Sequence, residues 1–227
     1  MNEIRLDILN KIFETTCEVE NMDNKFGKTL TEKENEIRKF ILSETPTFGY
    51  IPQKKEILLA FDNLGKTELE NILKKFDGYD IIHLTDNNDT IFAAYPFSNS
   101  KTKYLINFPN DNYKPVFAMC AIDAFGISFM LNKNIVISSE CFYSKEKINI
   151  EIRNNKIVRV NPKETVVWYD MDLSCCAAES QCEKLNFFSS KRDFNSWKKI
   201  IEDRTGYLLN INEAFYLGSL FFKSRLN

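Results

Sequence analysis

The chain carries one histidine, His83, among 227 residues. Serine–histidine–aspartate relays, most cysteine–histidine dyads and multi-histidine zinc sites all draw on imidazoles, so catalysis here must rest on carboxylates or thiols. Net charge is also scarce: 30 basic against 32 acidic residues leaves −2, interspersed, with no electrostatic footprint for nucleic acid or an anionic lipid surface. No apolar run is long enough to span a bilayer. The most apolar stretch, Val116 to Leu131, is broken by Asp123 and falls short of ~18 residues. The opening MNEIRLDILN carries charges where a signal peptide needs an apolar core, so the expectation is a soluble, cytoplasmic protein with reduced thiols. Seven glycines and six prolines are scattered rather than pooled, there is no internal repeat, and any domain boundary must be short.

What is abundant is core material. Hydrophobic residues make up 44% and aromatics 13%, with nineteen phenylalanines, too much buried-type surface for a disordered chain and enough for one large domain or two small ones. Residues 3–19 place Ile4, Ile8, Leu9, Ile12 and Phe13 on one helical face, and the polar stretch 20–29 lets the chain turn. Thr31 and Glu34 have capping-box spacing ahead of Ile37, Phe40 and Ile41, which predicts a helix over 32–43, stopped by Pro46 and Gly49. Two short helices follow, one around Ile57, Leu58 and Phe61, the other around Leu69, Ile72, Leu73 and Phe76. YDIIHL and TIFAAY then flank an Asp86-Asn87-Asn88-Asp89 turn as a hairpin. Three helices and a hairpin is the order of a winged helix, here over residues 1–98. From Gln53 to Phe76, however, five lysines face four acids and the wing turn is acidic, so the reading is a structural winged helix without DNA binding.

From residue 99 to 227 the pattern becomes α+β with a mostly antiparallel sheet. Tyr104, Ile106 and Phe108 alternate as a strand, and an apolar helix is expected from about Phe117. NIVIS, KINIEIR and KIVRV are strands, the last two joined at Asn154-Asn155. TVVWY, a cysteine-rich loop and LNFFSS follow, then a helix bearing Phe194, Trp197 and Ile201, a short strand, and a last helix from Asn212.

Cys120 and Asp123 lie three apart in FAMCAID, so on a helix thiol and carboxyl share a face. Two readings stand. A buried cysteine is commonly a small hydrophobe, but a carboxylate buried unpaired is costly and marks sites. The second cluster, Ser174-Cys175-Cys176 through Cys182, lacks the C-x2-C knuckle of a zinc site, yet a vicinal pair plus one more thiol favours a soft metal. Cys141 closes a strand and reads as structural, and Cys17, on an exposed-looking helix end, receives no role.

These motifs together resemble the organomercurial (alkylmercury) lyases, over about residues 90–222: FAMCAID, the strand end VISSEC, CEKLNFFSS, a Trp-bearing helix, and the closing NEAFYLGSLFF. The resemblance implies a winged-helix-like N-terminal part before a catalytic part, and protonolytic cleavage of a carbon–mercury bond. Carried over, Cys120 is one thiol, Asp123 the proton handler and transient metal ligand, and Cys141 a structural cysteine. The second thiol is the point of departure. The family motif sets it five residues before the first Phe of the Phe-Phe pair, often as a doublet; here that position is the single Cys182, with the doublet seven residues earlier. Because strand geometry fixes spacing whereas loops accept insertions, Cys182 is placed ahead of Cys175, and Cys176 third.

The implied chemistry uses no organic cofactor and no permanently bound metal. Its partners are a small organometallic substrate and, for the product Hg(II), a low-molecular-weight thiol or a mercuric-reductase-type acceptor; neither nucleic acid nor a membrane is expected. Three alternatives remain at this point: a lyase for another organometallic bond such as organoarsenic, a soft-metal binding or carrier protein without turnover, and a metal-responsive DNA-binding regulator, the last disfavoured by charge. Asp123 speaks for an enzyme, since a carrier needs thiols but no proton donor.

Overall fold

Cap chemistry sets the helical first half. In the computed structural model, which describes residues 4–19, 22–87, 89–109, 112–171, 182–201 and 204–226, α1 (Leu6–Val19) is followed by a single turn, α2 (Met22–Lys25), inside the polar stretch. Helix α3 (Glu32–Phe48) begins at the expected capping box: Glu34 N donates to Thr31 Oγ1 at 3.3 Å and Thr31 N to Glu34 Oε2 at 2.8 Å. It runs five residues past the expected end at 43. Pro46 sits within its last turn, and the helix stops at Gly49, whose φ of +79° is the left-handed conformation glycine adopts freely. Helices α4 (Lys54–Ala60) and α5 (Lys66–Gly78) then lead into strands β1 (Ile82–Leu84) and β2 (Ile91–Ala94), paired antiparallel.

Helix, helix, helix, hairpin is therefore the order found, but the hairpin does not stand alone. Through β3 (Phe97–Ser98) it joins the strands of the second half, β4 (Leu105–Asn107), β5 (Val116–Ala118), β6 (Ile135–Glu140), β7 (Lys147–Arg153) and β8 (Lys156–Asn161), in one sheet of order β1-β2-β3-β5-β4-β6-β7-β8. Every strand pairing among the described residues is antiparallel. A second, three-stranded sheet sets β9 (Val166–Asp170) between β10 (Asn186–Phe188) and β11 (Gly206–Asn210). The fold is α+β.

Two corrections concern helices of the second half. The apolar helix expected from Phe117 is a strand, β5, followed by α6 (Ala121–Leu131) with Cys120 as its N-cap. Phe117 and Ala118 pair with Ser98 and Phe97 of β3, and that sheet registry overrides the continuous apolar pattern. Helix α7 (Lys191–Lys198) carries Phe194 and Trp197 but ends before Ile201.

Helix α8 (Ile211–Phe222) lies against α6 at glycine contacts: a Cβ on Gly126 would stand 2.1 Å from the Phe222 ring, and one on Gly218 would stand 2.9 Å from Phe125 Cβ. This close approach brings the end of α8 over the N-terminus of α6. Arg5, ahead of α1, clamps the start of α8 with two bonds to the buried Glu213, at 2.6 and 2.7 Å, so α1 and α8 together cover the same region. No helix among the described residues is long and apolar enough to cross a membrane.

Candidate active site

The candidate site forms where α6 starts. Cys120 caps that helix with its sulfur, which accepts a hydrogen bond from Asp123 N at 3.3 Å, so the pair occupies the N-cap and the third helical position rather than successive turns. Cys182 arrives from the second sheet at the head of a single 3₁₀ turn, Cys182–Lys184, which leads into β10. Two hydrogen bonds seat that turn against α6 and the residue ahead of β4: Ala121 N donates to Leu185 O at 3.2 Å, and Tyr104 Oη donates to the same carbonyl at 2.9 Å. Inside the turn, Asn186 Nδ2 bonds Glu183 O at 2.7 Å.

A sulfur from Cys120, a carboxylate oxygen from Asp123 and a sulfur from Cys182 thus lie within 4.8 Å of one another, and all three residues are buried. Cys182 Sγ donates to Asp123 Oδ2 at 3.6 Å and meets the Tyr95 hydroxyl at 3.1 Å. Burial pushes the Cys120 thiol well above its ordinary range, and the Cys182 hydrogen bond and the Asp123 charge add to that, outweighing the helix-terminal N–H that favours a thiolate. Burial, reinforced by the same thiols and Asp123, likewise raises Tyr104, which stays a neutral hydrogen-bond donor.

The three groups open onto a narrow cavity of about 30 Å³, room for roughly one water-sized object. Its wall is largely apolar and aromatic, with Met22, Ile122, Tyr169, Leu185, Phe221 and Phe222, and Thr16, Tyr95 and Arg225 complete it. Thr16 of α1 and Tyr169 of β9 are hydrogen-bonded across it at 2.9 Å.

Of the candidates read in the sequence, Cys120, Asp123 and Cys182 come together. Cys175 and Cys176 lie outside the described residues. Cys141 is buried elsewhere, with its sulfur 3.6 Å from Asp193 Oδ2, and Cys17 is half-buried against the core rather than exposed. His83 is buried in β1 and does not line the cavity. Sequence reasoning did not find Tyr95, Tyr169 or the α8 residues. The Phe-Phe ending of NEAFYLGSLFF was the one available signal for Phe221 and Phe222; nothing local marks Tyr95.

Comparison with known proteins gives concordant matches. Residues 97–223 match the family model described as alkylmercury lyase. Alkylmercury lyases of Bacillus cereus and Clostridium butyricum are each 28% identical over 108 residues, covering 47% of this chain and 49% of theirs; that of Staphylococcus epidermidis (strain ATCC 12228 / FDA PCI 1200) is 24% identical over 106 residues. The chain thus spans about half the length of the curated relatives it matches. A crystal structure of the mercury-bound form of MerB2 superposes with a TM-score of 0.74 at 22% identity, covering 92% of this chain and 99% of that one.

Proposed function

The chain belongs to the alkylmercury lyase family, and from that premise we propose that it cleaves the carbon–mercury bond of organomercurials by protonolysis, with Cys120 and Cys182 as the thiols and Asp123 as the proton handler. The observation that carries this reading is the buried meeting of two sulfurs and one carboxylate within 4.8 Å. Soft thiolates make a bound mercury more electron-rich, and the carbon attached to it then accepts a proton. The carboxyl beside them is the group able to pass one.

The proton count follows from the resting state. Cys120, pushed up by burial, enters as a thiol. Bonding to mercury displaces its proton, as coordination does for thiols generally, and Asp123 is placed to take it. Written in full, an organomercurial delivered as its thiol adduct, R–Hg–SR′, reacts with two cysteine thiols to give R–H, R′SH and mercury held by both sulfurs. One cysteine proton ends on carbon and the other on the departing thiol. The largely apolar wall of the cavity keeps water away from the reacting carbon. No organic cofactor enters the scheme, and mercury is substrate and product metal. That a similar fold has been solved with mercury bound supports the assignment. An external low-molecular-weight thiol or a mercuric-reductase-type acceptor then removes the product metal.

The test is purified protein with methylmercury and excess small thiol, with methane followed by headspace gas chromatography. Catalytic release is expected. Tight mercury binding without methane would favour the carrier reading instead.

A further inference from the structure

Tyr95 belongs to the N-terminal half, yet its hydroxyl lies 3.1 Å from the sulfur of Cys182, 87 residues away in the chain. We infer that Tyr95 is the positioning residue for Cys182: its O–H donates to the sulfur and keeps it turned toward Cys120 and Asp123. The kinetic consequence rests on the lyase reading; the spectroscopic one needs only that the site binds mercury.

Cys182 needs such a partner because of where it stands. A single 3₁₀ turn fixes the backbone but leaves the cysteine χ1 to be chosen by its neighbours. Tyr95 is held far more firmly. Its N–H bonds Ile81 O at 3.3 Å, and the next residue, Pro96, accepts Met119 N at 3.1 Å, which ties the Tyr95 corner directly to the residue preceding Cys120. The adjoining pair Phe97 and Ala118 is in sheet register. Two buried cations lie over the Tyr95 ring, Lys25 Nζ at 4.4 Å from its centroid and the Arg225 guanidinium at 5.6 Å. Lys25 is itself anchored to Asp80 at 2.5 Å. Cations on an aromatic face both immobilise the ring and draw density from it, and so make the phenol O–H a better donor.

The sulfur of Cys182 therefore accepts from Tyr95 while its own proton points at Asp123 Oδ2. Tyr95 and Asp123 thus each fix one direction about the sulfur. When the sulfur carries metal, the phenol O–H remains on it and withdraws some of its electron density, as a hydrogen bond to a charged acceptor does.

Tyr95→Phe removes one oxygen and leaves the ring under both cations. With one equivalent of Hg(II), the sulfur-to-mercury charge-transfer absorption should move to longer wavelength, because the sulfur loses a hydrogen bond and becomes a stronger donor. Single-turnover hydrocarbon release should fall about tenfold with little change in KM, the signature of a misaimed group rather than a lost binding contact. A tyrosine with a merely structural role would lower Tm and leave the spectrum where it was. Unchanged spectrum and unchanged rate would overturn the inference. A shifted spectrum in a protein that never releases hydrocarbon would sink the lyase reading and leave Tyr95 in its role. If Tyr95→Phe does not fold, 3-fluorotyrosine placed at position 95, a stronger donor of nearly the same shape, carries the test: the band should then move to shorter wavelength, and no movement would overturn the inference.

Discussion

Two buried cysteines in this molecule each stand 3.6 Å from an aspartate oxygen, Cys182 beside Asp123 and Cys141 beside Asp193. The likeness extends further. Asp123 and Asp193 are both the third residue of a helix whose N-cap side chain accepts their backbone N–H: the Cys120 sulfur at 3.3 Å for α6, and the Ser190 hydroxyl at 3.2 Å for α7. At α7 the carboxylate is fully engaged. Ser189 donates to Asp193 at 2.6 Å, and hydrogen bonds from Ser144, Ser189 and Cys141 hold its carboxyl below the usual range despite burial. At α6 the cap is a sulfur, a poor acceptor for a helix terminus, a second thiol stands within reach, and a cavity opens beside the group. A thiol near a carboxylate is thus not by itself a site. A cap of the wrong element, a second sulfur and an opening separate the proposed site at α6 from the pair at α7.

The comparison breaks most sharply at the two caps. Cys120→Ser gives α6 the oxygen cap that α7 already has, so turnover should vanish while stability rises by about 0.5–1 kcal/mol, seen as hydrocarbon release below detection together with a higher Tm. Loss of activity with a lower Tm would mean the sulfur is the better fit to this helix end. Next in size, Asp123→Asn keeps both thiols and removes the proposed proton handler; release should drop by about 10²–10⁴-fold while Hg(II) still binds, as measured by single-turnover chromatography and mercury titration. If both variants lose mercury binding equally, Asp123 is chiefly a ligand or structural group.

How much of this was legible in the sequence depends on what each residue's role depends on. The capping box of Thr31 and Glu34, the hairpin around Asp86-Asn87 and the antiparallel run from KINIEIR onward are local patterns, and they form as read. The end of α3 was missed because Pro46 is tolerated within the last turn, leaving Gly49 as the stop. Cys120 was placed inside a helix because residues 117–131 are apolar but for Asp123 and Ser128, and periodicity cannot separate a buried strand from a buried helix there. Pairing with β3 on one side and β4 on the other does so. The meeting of Cys182 with Cys120 and Asp123 was legible only through the family motif's spacing to Phe187, a distance that a 3₁₀ turn and a short strand hold here. Tyr95 was not, because its role exists only where two distant segments meet.

Smaller effects belong to the structural pair. Cys141→Ala should leave hydrocarbon release within about twofold of the parent and lower stability by about 1–2 kcal/mol, read from denaturant unfolding; a dead variant would move Cys141 into the machinery. The smallest effect is on acid stability. Because the Asp193 carboxyl is held below 3.8 in the folded protein, its contribution is present above that value and is lost as pH falls through its folded pKa. Asp193→Asn should therefore be less stable at neutral pH and show a flatter loss of Tm below about pH 4. A slope identical to the parent would place the acid sensitivity elsewhere.

In the proposed site Cys182, not the doublet upstream of it, supplies the second sulfur beside Cys120 and Asp123. Benzene release from phenylmercury under excess thiol, measured side by side for Cys182→Ser and Cys175→Ser, tests it most directly. Cys182→Ser should be as inactive as a Cys120 variant while Cys175→Ser retains substantial turnover; an inactive Cys175→Ser beside an active Cys182→Ser would move the second sulfur to the doublet.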